Sequence, residues 1–183
     1  KNEPEISRRY QPGGVASFTK NKLAYKILGK GFDKSNLGRW SWTAFQGKGE
    51  RVLRVITAYR PCHIGGVKST VTQHLRYLAT EERNIHPRQA FLDDLFLEVQ
   101  EWRKNGESII FMGDLNENVA STGMQEWRDS LNMREVLLDK VGPDNAPSIY
   151  NRGSKPIDTI MCTTNINISK AGYLPFGEGA GDH

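Results

Sequence analysis

Long apolar runs are missing from this chain. No stretch approaches the ~18 consecutive apolar residues that span a bilayer, and the polar opening Lys1-Asn-Glu-Pro-Glu5 lacks the apolar centre of a signal peptide. The reading is an intracellular protein of nucleus or cytoplasm with no membrane partner. Cysteine is scarce as well: Cys62 and Cys162 form no C-x-x-C pair and have no clustered histidines beside them, which excludes a disulfide scaffold and speaks against structural zinc. Free thiols are the simpler default, with a Cys62–Cys162 disulfide as the alternative. His63, His74 and His86 have no histidine three or four residues away and read as surface or packing residues. Internal repeats and low-complexity linkers are also absent, leaving the balance of apolar and charged residues of one globular domain.

Acid is scarce in one region only. Residues 1–60 hold 13 Lys+Arg against 4 Asp+Glu, whereas residues 61–183 hold 12 against 17. With Tyr10, Tyr25, Trp40 and Trp42 among its basic residues, the first third is either a surface for a polyanion or a solvated, lysine-decorated face.

The patterning alternates strand and helix. Gln11–Gly14 reads as a turn, Val15–Phe18 as a strand and Leu23–Leu28 as a second strand. Asn36–Phe45 places Trp40, Trp42 and Ala44 on one side and Ser41, Thr43 and Phe45 on the other; Gly47-Lys-Gly49 then predicts a hairpin into Glu50–Ala58, which Pro61 ends. Residues 62–86 predict a long connection with one or two helical turns within Val71–Leu78. Pro87 starts a helix to Lys104 with the apolar stripe Phe91, Leu92, Leu95, Phe96, Val99 and Trp102, closed by Asn105-Gly106. A further helix follows, with a Thr122/Gln125 capping box and Met124, Trp127, Leu131 and Val136–Leu138 on its inner side. It breaks at Gly142–Asn145. Pro147–Gly153 reads as strand and turn, Lys155–Cys162 as a strand interrupted by Asp158, and Ile166–Ala171 as a last short strand.

The stretch Glu107–Asn118 carries the chemistry. Ile109–Met112 reads as a buried strand that stops at Gly113, which permits a tight exit, and at period two Asp114 and Asn116 point the same way. A carboxylate there can bind a metal or accept a proton, and an amide can donate to a phosphate oxygen. The alternative is an Asx-type turn that only ends the strand. A carboxylate at Asp158, inside an apolar strand, calls for a dedicated partner.

Taken in order, Ala58-Tyr-Arg-Pro61, Gly113-Asp-Leu-Asn116, Pro156-Ile-Asp158 and Gly181-Asp-His183 resemble motifs of the endonuclease/exonuclease/phosphatase superfamily, the group of DNase I-like nucleases. Thr57–Cys62 and Asp114–Glu117 look closest to endonuclease domains of non-LTR retrotransposons, which are fused to a reverse transcriptase. The resemblance implies a four-layer α/β sandwich, two mixed sheets packed face to face with helices outside. It implies a single domain over residues 1–183, incomplete at both ends, because the family's early asparagine and metal-binding glutamate strands are not found before Tyr10 and no strand follows His183. Glu3 and Glu5 are not assigned the glutamate's role.

By resemblance, His183 is the catalytic histidine, Asp158 orients it, Asp114 positions or deprotonates the attacking water, and Asn116 and Tyr59 contact phosphate. Arg60 joins them as a substrate-binding residue, and Asp182 with Asp114 holds the metal, Mg²⁺ or Mn²⁺. The implied activity is metal-dependent hydrolysis of a nucleic-acid phosphodiester by a monomer, with DNA the expected partner and the choice between DNA and RNA left open by the sequence. Two alternatives stay open: a phosphatase or phosphodiesterase acting on a phospholipid or small phosphorylated substrate, and an inactive nucleic-acid-binding remnant.

Overall fold

The structure is a computed structural model that describes residues 14–148, 153–175 and 178. Its centre is a six-stranded mixed sheet in the order β1-β2-β3-β4-β6-β5. The strands are β1 (Ile27–Phe32), β2 (Trp40–Gln46), β3 (Val52–Tyr59), β4 (Ser108–Asp114), β5 (Met133–Glu135) and β6 (Asp158–Thr163). The helices are α1 (Thr70–Thr80), α2 (Pro87–Lys104), α3 (Thr122–Ser130) and α4 (Val136–Val141). This is the α/β class expected from the alternation. Among the described residues there is one sheet.

Among the described strands only β3 and β4 run parallel, and the crossover between them carries α1 and α2. The register puts Trp40, Trp42, Ile56, Ala58, Ile109, Phe111 and Met161 on one face, and Phe91, Leu92, Leu95 and Val99 of α2 close a core with that face. The opposite face carries Ser41, Thr57, Tyr59, Met112, Asp114, Asp158 and Ile160.

The β2–β3 hairpin follows its sequence: Gly47 N–H donates to Arg51 O at 2.8 Å, and Gly49 takes φ 68°. The α2 boundaries also hold, with Pro87 in the first turn and the His86 ring accepting from Arg88 N–H at 3.3 Å. Asp94 and Glu98, off the apolar stripe, are still tied inward. Arg39, buried, pairs with Asp33 at 2.6 Å and Asp94 at 2.9 Å, while Trp40 Nε1–H donates to Glu98 at 3.2 Å.

Several expectations are corrected. Residues 14–20 form no strand, and Asn21–Lys26 is a 3-10 helix, so the second predicted strand begins only at Ile27. The connection after Cys62 contains a full eleven-residue helix, α1, capped by the Ser69 hydroxyl. The α3 N-cap is Ser121 with no side-chain capping bond, and Gln125 donates instead to Ala120 O at 2.8 Å. That helix does not reach Val136: Asn132, at φ 49°, turns the chain into β5, and α4 then starts with Glu135 accepting from Leu138 N–H. Ile166–Ala171 is not a strand, and β6 starts at Asp158 rather than Lys155. Residues 149–152 of the expected strand and turn lie outside the described residues, as does most of the predicted turn at 11–14.

Candidate active site

Three strands end together. Tyr59 of β3 pairs in register with Asp114 of β4, and Asp114 with Asp158 of β6, so the three residues form one row across the end of the sheet. Cross-strand partners share a face, and neighbouring strands lie about 4.8 Å apart, so the row spans about 10 Å. Residues far apart in the chain are thereby gathered at a single rim.

Asn116 joins the row by a different route from strand alternation. β4 stops at Asp114, Asn116 adopts the left-handed conformation at φ 48°, and its backbone N–H donates to Asp114 Oδ1 at 2.8 Å, an Asx turn. The turn folds the amide back, where Nδ2–H donates to Arg60 O at 2.7 Å and to Asp114 Oδ2 at 3.3 Å. The turn read as a mere strand ending is thus what brings the amide to the carboxylate. Gly113, expected to permit that exit, lies instead inside β4 between Ala58 and Thr159. It is needed for space: a Cβ there would stand 2.6 Å from Ala58 O and 3.3 Å from the Phe111 ring.

Tyr59 keeps its proton. Burial raises the phenol above its ordinary value, the charges of Cys62 and Asp114 add to this, and the Asn116 amide hydrogen-bonded to it offsets only part. Around neutral pH it is therefore a donor beside an acceptor carboxylate.

Beneath the row lies a buried cationic support. Arg60 N–H donates to Asp114 O at 2.9 Å, and its guanidinium turns inward, donating to Arg88 O at 3.1 Å and Glu117 Oε2 at 3.4 Å. Burial and the neighbouring Arg88 push it down to about 10, against the pull of Glu117. Arg88 donates to Pro61 O, to Asn116 O at 3.0 Å and to Glu117 at 2.6 Å, tying the loop after β3 to the turn after β4. Glu117 also meets His63 at 3.6 Å. Burial alone would raise the Glu117 carboxyl, but Arg88 and Arg60 hold it below its ordinary value. Arg88 and Glu117 were not singled out by sequence reasoning. The available signal was helical spacing: Arg88 precedes Phe91, Leu92 and Leu95 by three, four and seven positions, and so sits on the buried stripe.

Asp182 and His183 lie outside the described residues. Among the described residues no group of three His, Cys, Asp or Glu side chains is placed to hold a metal ion. The oxygen donors of Asp114 and Asn116 are of the type Mg²⁺ accepts, and Mg²⁺ commonly uses one or two carboxylates and completes its shell with water. Both cysteines are free, Cys162 buried and Cys62 partly exposed. No described helix is long and apolar enough to cross a membrane. A hollow of about 320 Å³ lined by Leu75, Ala79, Arg83 and Ile85 is remote in residue content from the row and shares no side chain with it.

The basic first third needs revision. Trp40 is 1% exposed in the core, and Trp42 packs edge-on to Trp102 with the Arg54 guanidinium 4.1 Å over its ring. Trp40 is thus closed to a polyanion, and Trp42 is partly buried. Tyr10 lies outside the described residues, whereas Tyr25 is fully open.

No family model and no curated protein matches the sequence. Solved structures do match the fold. The human Nocturnin catalytic domain, solved with a bound sulfate anion, aligns at TM-score 0.50 and 14% identity over 76% of this chain and 48% of its own. A β toxin variant from Staphylococcus aureus with bound magnesium ions aligns at TM-score 0.43 and 16% identity, over 74% and 47%. A mannosyl-6-phosphatase from Bacteroides thetaiotaomicron aligns at TM-score 0.39 and 14% identity, over 69% and 43%. The chain thus spans about half the length of these structures. The likeness to Nocturnin shows a fold of the DNase I-like α/β type.

Proposed function

We propose that this chain is part of a metal-dependent phosphodiesterase that cleaves nucleic acid. The observation that carries the proposal is the row Tyr59–Asp114–Asp158 with the Asn116 amide folded back onto Asp114. A phosphodiester needs an oriented water, a proton acceptor and donors for charge developing on the phosphoryl oxygens. Asp114 orients the water and takes its proton. Tyr59 donates to a phosphoryl oxygen, Asn116 joins it by exchanging its 3.3 Å bond to Asp114 Oδ2 for the substrate, and Asp158 orients the histidine assigned at His183. Mg²⁺, when bound by Asp114 with Asp182, supplies Lewis acidity. Arg60, with its guanidinium spent on Glu117 and the Arg88 carbonyl, positions the backbone of the row and adds positive potential from below.

The retrotransposon-type motifs Thr57–Cys62 and Asp114–Glu117 favour DNA as substrate and a parent chain that includes a reverse transcriptase. The fold likeness to a catalytic domain holding sulfate, a tetrahedral oxyanion like phosphate, supports a phosphoryl substrate. The test is nicking of plasmid DNA by the protein at its natural length, with Mg²⁺, against Asp114→Asn and against EDTA. Cleavage abolished by both supports the reading. Absence of cleavage, cleavage insensitive to Asp114→Asn, or turnover of soluble phosphomonoesters alone overturns it.

A further inference from the structure

The buried cations beneath the row cost the fold more than they give it. The side chain of Arg88, the second residue of α2, is 3% exposed, and that of Arg60 is 7% exposed. Their guanidinium groups share one carboxylate, Glu117, which is itself one-third open to water. The cost shows in Arg60, which burial and Arg88 push down to about 10, and in Arg88 Nε–H, which is buried with no hydrogen-bond partner among the described residues. Apolar side chains of similar volume commonly serve stability as well as an imperfectly paired buried charge does. Departures of this kind from the rules of packing are characteristic of functional sites.

What Arg88 holds is specific. Helix α2 is seated in the core through Phe91, Leu92 and Leu95, so its first turn is a fixed point. From there Nη1–H donates to Pro61 O, and Nη2–H donates to Asn116 O at 3.0 Å and to Glu117 Oε2 at 2.6 Å. One planar fork thus grips the segment leaving β3 and the turn leaving β4 together. Both grips bear on one side chain. The Asn116 amide rests on Arg60 O at 2.7 Å, and Arg60 is the residue before Pro61. Asn116 itself holds φ 48°, a conformation that a residue other than glycine keeps only where its surroundings impose it. Arg88 supplies a bond to its carbonyl from outside the turn. A lysine at position 88 would carry the charge without the fork.

We propose that Arg88 is a positioning residue for the row: its fork fixes the left-handed turn at Asn116 against the Arg60–Pro61 backbone and thereby aims the Asn116 amide at the phosphoryl group. Arg88 touches no substrate and acts through Asn116. Its effect on turnover rests on the phosphodiesterase reading of the row, whereas its placing of the amide does not.

The test uses the protein at its natural length with Arg88→Lys, which keeps the charge and loses the fork. Nuclear magnetic resonance of protein labelled with ¹⁵N-asparagine, in EDTA and without substrate, reads the Asn116 side-chain amide directly, its signal assigned by its loss in Asn116→Gly. The expected result in Arg88→Lys is a shifted or averaged Asn116 amide signal, with the asparagines outside residues 116–118 unmoved and the circular dichroism unchanged. In plasmid nicking with Mg²⁺, kcat is expected to fall by about 10- to 100-fold with KM within about threefold of the parent, because the defect is misplacement rather than lost binding. Asn116→Gly keeps the left-handed backbone without steric cost and removes the amide, so Arg88→Lys/Asn116→Gly is expected to match Asn116→Gly alone within about threefold. An Asn116 signal that does not move, a rise in KM alone, or losses that multiply in the double variant overturns the inference. Arg88→Gln, which retains a donor for the Asn116 carbonyl, is the second variant if Arg88→Lys does not fold; failure of both to fold assigns Arg88 to the fold and overturns the inference as well. A moved amide signal in a protein that cleaves nothing removes the phosphodiesterase reading and leaves the placing of Asn116 standing. Cleavage with an unmoved signal and an unchanged kcat does the reverse.

Discussion

Gly113→Ala is the substitution that most directly probes the construction of the row. The new Cβ would lie 2.6 Å from Ala58 O, 3.2 Å from the Ala58 carbonyl carbon and 3.3 Å from Phe111 Cζ. Cβ contacts of this kind essentially never fall below 3.0 Å, so β3 and β4 must part by at least 0.4 Å at the rung next to Tyr59–Asp114. The contacted group is backbone in a parallel ladder, so no side-chain rotation relieves it. Overpacking of this sort costs about 1–3 kcal/mol. Loss of unfolded-chain freedom on replacing glycine returns about 0.4–1 kcal/mol. The net expectation is a loss of about 1–2 kcal/mol, a fall in Tm of about 3–6 °C for a domain of this size. Thermal unfolding followed by circular dichroism reads the stability, and the nicking assay reads the displacement of Asp114 from Tyr59. A Gly113→Ala protein with unchanged or raised Tm would refute the close approach of the two strands at the rim.

Glu117→Gln leaves the buried guanidinium groups of Arg60 and Arg88 facing each other without their shared carboxylate. Because Glu117 is one-third open to water, the expected loss is moderate, about 1–3 kcal/mol in urea unfolding. Stability should also fall in mild acid. Burial, with Arg39 nearby, pushes the His74 imidazole down to about 4, while the unfolded residue takes up its proton near pH 6.5. The contribution is therefore fully present above pH 6.5 and is lost as pH falls toward 4, to about 3 kcal/mol in total. Asp33, where the Arg39 contacts outweigh burial and lower the carboxyl, extends the loss below its usual value, whereas Glu98 and Glu135, raised by burial, recover part of it as they protonate. Denaturant unfolding of His74→Gln should show a flatter dependence between pH 6.5 and 5, and an unchanged slope would count against the buried neutral imidazole.

Helix α2 was readable to the residue because a proline, a 3.6-residue stripe and an Asn-Gly stop all report local backbone preferences. The β2–β3 hairpin was readable for the same reason, with alternation and glycine placement agreeing on one register. The failures share the opposite cause. Leu23–Leu28 looks like a strand by composition, yet its first residues lie outside the sheet's edge and close a 3-10 turn. The apolar residues Val136–Leu138 look like a continuation of α3, but Asn132 in the left-handed region inserts β5, a choice made by the vacant edge of β6 rather than by helix propensity.

The amino-acid order by itself determined the α/β alternation, the placing of an apolar strand before Asp114, and the identity of the polar residues Tyr59, Asp114, Asn116 and Asp158, since these depend on periodicity and residue chemistry within short stretches. The tertiary structure alone decided that Tyr59, Asp114 and Asp158 stand in one row, because strand register is set by side-chain packing between segments far apart in sequence. It alone decided the inward turn of Arg60 onto Glu117 and the Arg88 carbonyl, the burial of Trp40, the packing of the partly buried Trp42 against Trp102 and Arg54, and the exposure of Phe18, Tyr25 and Phe32. A residue's type states what it can bond to, and only the folded chain determines which partner reaches it first.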